Sequence, residues 1–432
     1  MVEGKEFEVA IVGGGIAGLC TAIALQQRGV KFTIFEQAPK FGEIGAGVSF
    51  GPNAVRAMKK CHDGIYQAFE KVVTRNEWPS KANVWFDYLN GWDKSTKQSG
   101  HQEAEFTIST SIGQAGVHRA RFLDELVKLL PSEAARFGKR LKDITEANNG
   151  KLVLHFEDDS TAETDAIIGC DGIKSKTRQI MFGKDHACAN PTYTHKYAYR
   201  GLVPMEEAVK ALGEERAKNS CMHIGPNNHV LTFPVNHGQI LNIVAFHTTE
   251  NDWPDYQRLT RSAKREDALK DFEGCGPNVT ALLKLTKPDL DTWAIFDLGN
   301  EVPRFNKGRV CIIGDASHAT SPHHGAGAGM CIEDAAVMAE LLADERVRTP
   351  TDVEAALTAF DANRRERGQW LVKSSRHMGD TYEWRTPDIG GNFKKIEADI
   401  NERLDIIGNF DLDQGCRDAV KALEKHLGQA RL

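Results

Sequence analysis

The chain has 432 residues, enough for two or three domains and a large core. With 41% apolar and 26% charged residues it has the make-up of a globular protein, which excludes the disordered and fibrous classes. A formal charge of −6 argues against a nucleic-acid partner, which calls for a basic face, and no apolar run reaches the roughly 18 to 20 residues of a membrane span.

The opening MVEGKEFEVA lacks the basic start and apolar stretch of a secretory leader, so a cytoplasmic location is expected. Val9–Val12 is short, apolar and β-branched and predicts a buried strand. Ile16–Arg28, with Ile16, Leu19, Ile23 and Leu25 at apolar positions, predicts a helix ended by Gly29. Lys31–Phe35 predicts a second strand. Together they form a β-α-β unit of about 30 residues with G-x-G-x-x-G at its first turn. Gly13 permits the tight turn, Gly15 leaves room for a pyrophosphate at the backbone, and Gly18 lets helix and strand pack closely. The helix N-terminus, with its unpaired N–H groups and positive dipole end, suits that anion. Glu36 ends the second strand, where it can accept hydrogen bonds from a ribose and disfavour a 2′-phosphate, so NADP is not expected in this slot. The bland alternative is a glycine-rich turn that binds nothing. The flanking strands and the acid point to a dinucleotide, with NAD and FAD both open.

Further along, Gly42–Lys60 reads as a glycine-rich loop leading into a helix. Trp78–Phe106, with its Asn90-Gly91 turn, reads as strands outside the first sheet. Gly116–Pro131 reads as an amphipathic helix stopped by proline, and Lys151–Gly172 as a hairpin followed by a buried strand. That strand ends in Cys170-Asp171-Gly172, with Ser175 and Arg178 behind it. Strand-like runs dominate from Tyr193 to Trp293 and predict a separate antiparallel sheet. Arg309–Asp315 is another buried strand, ending in Gly314-Asp315. Asp171 and Asp315 each sit where a parallel strand emerges into a loop, the usual ligand position of a doubly wound sheet. For Asp171 a plain helix cap serves equally well. Gly325, Gly327 and Gly329, just before a helix, predict a second nest of backbone N–H groups. Charged helices follow from Val353.

Nine cysteines without a Cys-x-x-Cys pair, several in apolar runs (Cys20, Cys170, Cys311), predict buried reduced thiols, and no metal site is expected. The closing Ala430, Arg431 and Leu432 loosely match Ser-Lys-Leu, which makes the peroxisome the alternative to the cytoplasm. The order of the pieces predicts an α/β protein of two interleaved domains. Residues 1–75, 105–185 and 295–352 form a doubly wound, Rossmann-like nucleotide-binding domain. Residues 76–104 and 186–294 form an antiparallel substrate-binding sheet, and 353–432 a C-terminal helical region.

Three motifs carry a family resemblance: Gly13-x-Gly15-x-x-Gly18 with Glu36, Asp171-Gly172, and Gly314-Asp315 with Pro322-His323-His324-Gly325. Together they resemble the group A, single-component flavoprotein aromatic monooxygenases of the p-hydroxybenzoate hydroxylase fold. The pattern is most similar to salicylate hydroxylases and to fungal phenol-hydroxylating and dearomatising relatives. The resemblance implies one noncovalent FAD, with NADH or NADPH as transient co-substrate and molecular oxygen consumed. It places Glu36 on the adenosine ribose, Arg119 on FAD, Asp315 on the ribityl chain and Pro322 beside the reacting edge of the isoalloxazine. Asp171-Gly172 would serve both FAD and the nicotinamide. It also implies a flavin C(4a) hydroperoxide, an electrophile that needs an electron-rich ring, with the N–H groups of Gly325–Gly329 stabilising reduced flavin.

The substrate is then expected from the strand-rich region. Arg200 is the candidate anion clamp, with a surface ion pair as the plain alternative. His223, His229 and His247 are candidate proton acceptors, each also readable as a structural strand histidine. Phe233 stands where a tyrosine is matched in dearomatising relatives, which counts against that activity. His323 and His324 belong to the expected flavin loop, with roles left open. The expected activity is hydroxylation of a phenolic aromatic acid, with or without decarboxylation, as in salicylate to catechol. Dearomatisation of a resorcinol-type polyketide and a flavin oxidase without oxygen insertion are the alternatives. A monomer or homodimer is expected, with a small phenol as the partner.

Overall fold

The computed structural model describes residues 5–42, 47–95 and 102–430. Residues 43–46 of the expected glycine-rich loop, and the terminal Arg431 and Leu432, lie outside the described residues.

The nucleotide sheet has six strands, in the spatial order Asn306–Lys307, Val310–Ile312, Ala166–Gly169, Glu8–Val12, Lys31–Phe35 and Ala135–Arg136. Only the first pair is antiparallel. Glu8–Val12 is apolar without alternation because both of its faces are covered. Val9 and Ile11 pack on the helical side, while Ala10 and Val12 meet Leu154 and Phe156 of a three-stranded hairpin sheet. The helix Ile16–Gln27 is buried from Ile16 through Leu25. The expected helix over Gly116–Pro131 starts late. Ala115–His118 is a strand paired with Gly47–Ser49 and Thr74–Arg75, and the helix runs only over Arg119–Val127. Cross-strand pairing overrides the local helical pattern there.

The second sheet has eight strands: Thr260–Lys264, Asp289–Asp297, Thr192–Pro204, Ile240–Thr248, Asn228–Val235, Cys221–Gly225, Val84–Asn90 and Phe106–Ser109. All neighbours are antiparallel except Cys221–Gly225 with Val84–Asn90. Phe106–Ser109 and the end of Asp289–Asp297 fall outside the expected spans 76–104 and 186–294, yet their partners place them in this sheet. In its centre Arg200 pairs with Val244 and Leu202 with Asn242. Side chains alternate between faces. Ala198, Val244, Phe246 and Ile295 share the face turned to the nucleotide domain. Tyr197, Tyr199, Ile243 and Ala245 share the other, packed on Met205–Leu212 and Pro277–Leu285.

The C-terminal region holds three helices, Pro350–Tyr382, Phe393–Gly408 and Leu412–Ala430. The first starts on a capping box of Thr349 and Asp352. Its fully buried Arg364 bonds Asp334 at 2.8 Å and Glu333 at 2.9 Å on the helix Gly327–Ala343. His318, three residues past Asp315, also bonds Asp334, at 2.6 Å. Every charge in this cluster is paired, the condition for burying it. The long helix is thus fastened to the loop that carries Gly314-Asp315.

Candidate functional site

One cavity of about 400 Å³ runs from the fingerprint turn to the eight-stranded sheet. Gly15, Ile16 and Ala17 line its nucleotide end. The turn requires glycine for two separate reasons. Gly13 has φ +106, and a Cβ there would sit 2.5 Å from the Cys170 carbonyl oxygen. A Cβ on Gly18 would sit 2.0 Å from the carbonyl oxygen of Gly13. Next to Gly15 the space is open, the nearest atom to an added Cβ being an Arg119 nitrogen at 4.0 Å. Backbone N–H groups at the helix start, this open face, and Asp315 and Arg119 in the cavity wall form a donor and acceptor set that fits FAD.

Glu36 lies beyond this cavity and braces the turn, accepting from the N–H of Gly14 and of Ala38, both at 2.7 Å. Asp171 is turned to its own helix. It accepts from Ser175 Oγ at 2.6 Å and from Thr177 N and Oγ1 at 2.9 and 3.0 Å, so the capping alternative describes its side chain. Its neighbour Gly172, at φ +74, does reach the cavity. Buried Arg178 donates to the carbonyls of Ile173, Cys188, Ala189 and Ala316, which ties the two acid-bearing strand ends together. Gly325 and Gly327 line the cavity, but the helix begins at Gly327, so only Gly325 precedes it. Gly329 lies inside the helix and allows close packing, since a Cβ would meet that of Ala54 at 2.9 Å.

At the sheet end the cavity wall is largely apolar, with Met222, Leu231, Phe233, Val244 and Phe246 among its residues. Phe233 packs against the backbone at Gly47 and Gly116 and offers no hydroxyl. Arg200 is among the lining residues, and its guanidinium lies 4.7 Å from the centre of the Trp293 ring, which lines a neighbouring cavity that Arg200 also reaches. Its Nε is buried without a hydrogen bond, and among the described residues no carboxylate pairs with it. Burial, with Arg119 nearby, lowers its pKa from the ordinary value.

Strand alternation separates the candidate histidines. Met222 lines the cavity, so its neighbour His223 faces away; burial lowers its pKa to about 4. His247 packs against the rings of Tyr197 and Phe272 on the outer face. Neither lines the cavity, a correction imposed by register. His324 is turned to Ser374 Oγ, 2.8 Å away, and lines a neighbouring cavity, while burial brings its pKa to about 3. Pro322 and His323 do line the main cavity. Burial, then His229 and Lys196, hold the His323 imidazole well below its ordinary pKa and hence neutral.

Behind His323 lies a buried group that the sequence reading touched only at His229. The His229 ring is stacked on Phe246 at 4.6 Å and stands 5.3 Å from the His323 ring. Its Nδ1 bonds Glu383 Oε1 at 3.1 Å, and Lys196 Nζ meets Glu383 Oε2 at 2.5 Å and Asp380 at 3.0 Å. Burial opposes charge on Glu383, but His229 and Lys196 prevail and keep its pKa far below the usual carboxylate range. No local motif marks Glu383, since it meets His229 only through folding of the long helix. Asn242 was missed as well, although its spacing of two from Val244 and four from Phe246 puts all three on one strand face.

Comparison with known proteins bears on this geometry. Residues 6–375 match the FAD binding domain family. The FAD-dependent monooxygenase pigN of Monascus ruber is 44% identical, covering 98% of this chain and 98% of its own length. Salicylate hydroxylase asL1 of Sarocladium schorii is 40% identical over 95% of this chain and 89% of its own. Among solved structures, a salicylate hydroxylase substrate complex superposes with a TM-score of 0.84 at 35% identity, covering 96% of this chain and 98% of that one.

Proposed function

Since the chain belongs to the FAD binding domain family and is an FAD-dependent monooxygenase, we propose that it hydroxylates a phenolic aromatic acid of the salicylate type, held by Arg200. The observation that carries this reading is Arg200, half-buried at the largely apolar sheet end of the cavity, with its Nε buried without a hydrogen bond and no carboxylate paired with it among the described residues. A cation so placed lacks a counter-charge, and a planar anion with an apolar ring supplies both needs. The names of two relatives, salicylate hydroxylase asL1 and the 6-methylsalicylate 1-monooxygenase atA of Aspergillus terreus, support the same class.

Bound FAD would supply the redox chemistry, namely hydride uptake from NADH or NADPH and activation of molecular oxygen. The protein supplies placement. The helix start at Gly15 receives the pyrophosphate, and Asp315 offers a carboxylate to the ribityl hydroxyls. Arg200 orients the ring and favours its anionic, electron-rich form. The apolar wall keeps water from the reacting edge. His323, neutral and in the cavity wall with its Nε2 unpaired, is proposed to accept a hydrogen bond from the phenol hydroxyl rather than its proton. Decarboxylation follows where the attacked carbon bears the carboxylate, giving a catechol. Phe233, which lacks a donor, keeps dearomatisation the lesser reading.

Arg200→Lys retains the charge and loses the planar fork. The variant is expected to keep FAD, raise the salicylate KM and divert NADH oxidation to hydrogen peroxide. Unchanged KM and coupling would remove Arg200 from the site. Turnover under labelled oxygen separates hydroxylation, which puts one labelled atom in the product, from oxidase chemistry, which puts in none.

A further inference from the structure

The cavity holds a second polar side chain without a hydrogen-bond partner. Asn242 is only 5% exposed, its Nδ2 is buried without a hydrogen bond, and among the described residues nothing bonds its side chain. A buried amide left unpaired is costly, and native structures rarely tolerate one without a reason. Asn242 sits opposite Leu202 and Phe233 on the neighbouring strands, and Val244, two residues on, sits opposite Arg200. Asn242 and Arg200 are therefore diagonal neighbours on one face, within reach of a single small group. Both also line an outer cavity of about 240 Å³, together with Trp293 and the exposed Leu202, Lys287, Asp289 and Asp291. The two groups, neither with a hydrogen-bond partner, thus stand together where the main and outer cavities meet, while Pro322 and His323 line the main cavity from another element.

We propose that Asn242 is a specificity-determining residue that shares with Arg200 the carboxylate of an aromatic acid. This rests on the reading given under Proposed function. The guanidinium fork binds the carboxylate edge, and the amide N–H₂, turned about the Cβ–Cγ bond at no cost in existing bonds, donates to the remaining lone pairs. A phenol without a carboxylate has nothing to offer the amide, so Asn242 discriminates between acid and simple phenol. A site built to hydrogen-bond a substrate group rejects the analogue that lacks it far more strongly than an apolar site does.

The test measures dissociation constants of salicylate and of phenol for the FAD-loaded enzyme, from the flavin absorbance change on binding. Wild type is expected to prefer salicylate at least roughly tenfold. Asn242→Leu, close in volume, is expected to cut that preference about fivefold or more while leaving phenol within about twofold. Asn242→Asp is expected to cut it further, by repelling the carboxylate. If the leucine variant loses FAD, the smaller Asn242→Ser is read in its place. A wild-type preference that survives in the variants overturns the assignment of Asn242 alone. A wild type that binds both ligands alike overturns the carboxylate reading as well. Equal weakening of both ligands assigns Asn242 to structure and also overturns the proposal.

Discussion

The two ends of the cavity are built from different parts of the chain. At the nucleotide end the contact surface is mostly backbone, namely the glycine turn, the helix start at Gly15 and the turn around Gly325. At the sheet end it is all side chain, with Arg200 and Asn242 set among Met222, Leu231 and Phe246. A backbone site depends on what is absent, since any Cβ at Gly13 or Gly18 collides with a neighbouring carbonyl. A side-chain site depends on register, since one residue of slip sends each group to the opposite face. The first should break completely on a one-atom change, whereas the second should lose selectivity by degrees.

The largest effect is expected at the turn. Gly13→Ala must place a Cβ 2.5 Å from Cys170 O at φ +106, so the purified variant should retain no FAD, read as the ratio of flavin to protein absorbance. A flavin content equal to wild type would show that the turn has room to spare.

His223 tests the face turned away from the cavity. Its pKa is depressed to about 4 by burial and then by Arg216, against 6.5 for an unperturbed imidazole. The unfolded chain therefore takes up a proton before the folded one does. The group's contribution is fully present above pH 6.5 and is lost as pH falls toward 4, on the order of 3 kcal/mol in all. His223→Gln should flatten the fall in Tm across that window with no change in substrate KM. A slope identical to wild type would place the acid sensitivity elsewhere.

Asp315 is the side chain proposed to hold FAD at the nucleotide end. Its carboxylate lines the cavity, and Asp315→Ala should weaken FAD binding by about 2 kcal/mol, roughly thirtyfold, without altering the order of preferred phenols. Apoenzyme titration with FAD measures the first expectation and a substrate panel the second. The smallest effect is expected at His247, which packs on Tyr197 and Phe272 outside the cavity. His247→Gln should leave KM and coupling as they are; a raised KM would mean that the outer face communicates with the site.

Legibility follows the same division. The β-α-β unit and the two acid-bearing strand ends could be read because each is a local pattern with a steric or electrostatic cause, whereas Glu36, expected on a ribose, accepts from the N–H of Gly14 and of Ala38 and braces the turn. The glycines at 325, 327 and 329 were read as one nest, yet only Gly325 precedes the helix, because helix start and helix packing call for the same residue. Asp171 shows the same ambiguity, since capping and ligand binding select the same side chain at a strand end. Arg200 could be picked from its run of strand residues. His223 and His247 could not be told from cavity residues until alternation was anchored by a known neighbour, Met222 for one and Phe246 for the other.

The type of chemistry was implied by the resemblance of the motifs to a family; by itself the sequence determined the nucleotide-binding unit and the interleaving of two kinds of sheet. These depend on spacing along the chain, on backbone sterics and on apolar period, all of which are local quantities. Tertiary structure alone decided which face of each substrate strand meets the cavity, that Glu383 from a distant helix backs His229, and that Asn242 joins Arg200 without a partner. The physical reason is that strand register and helix docking are set by burial summed over the whole core, in which each residue's place depends on contacts far away in sequence.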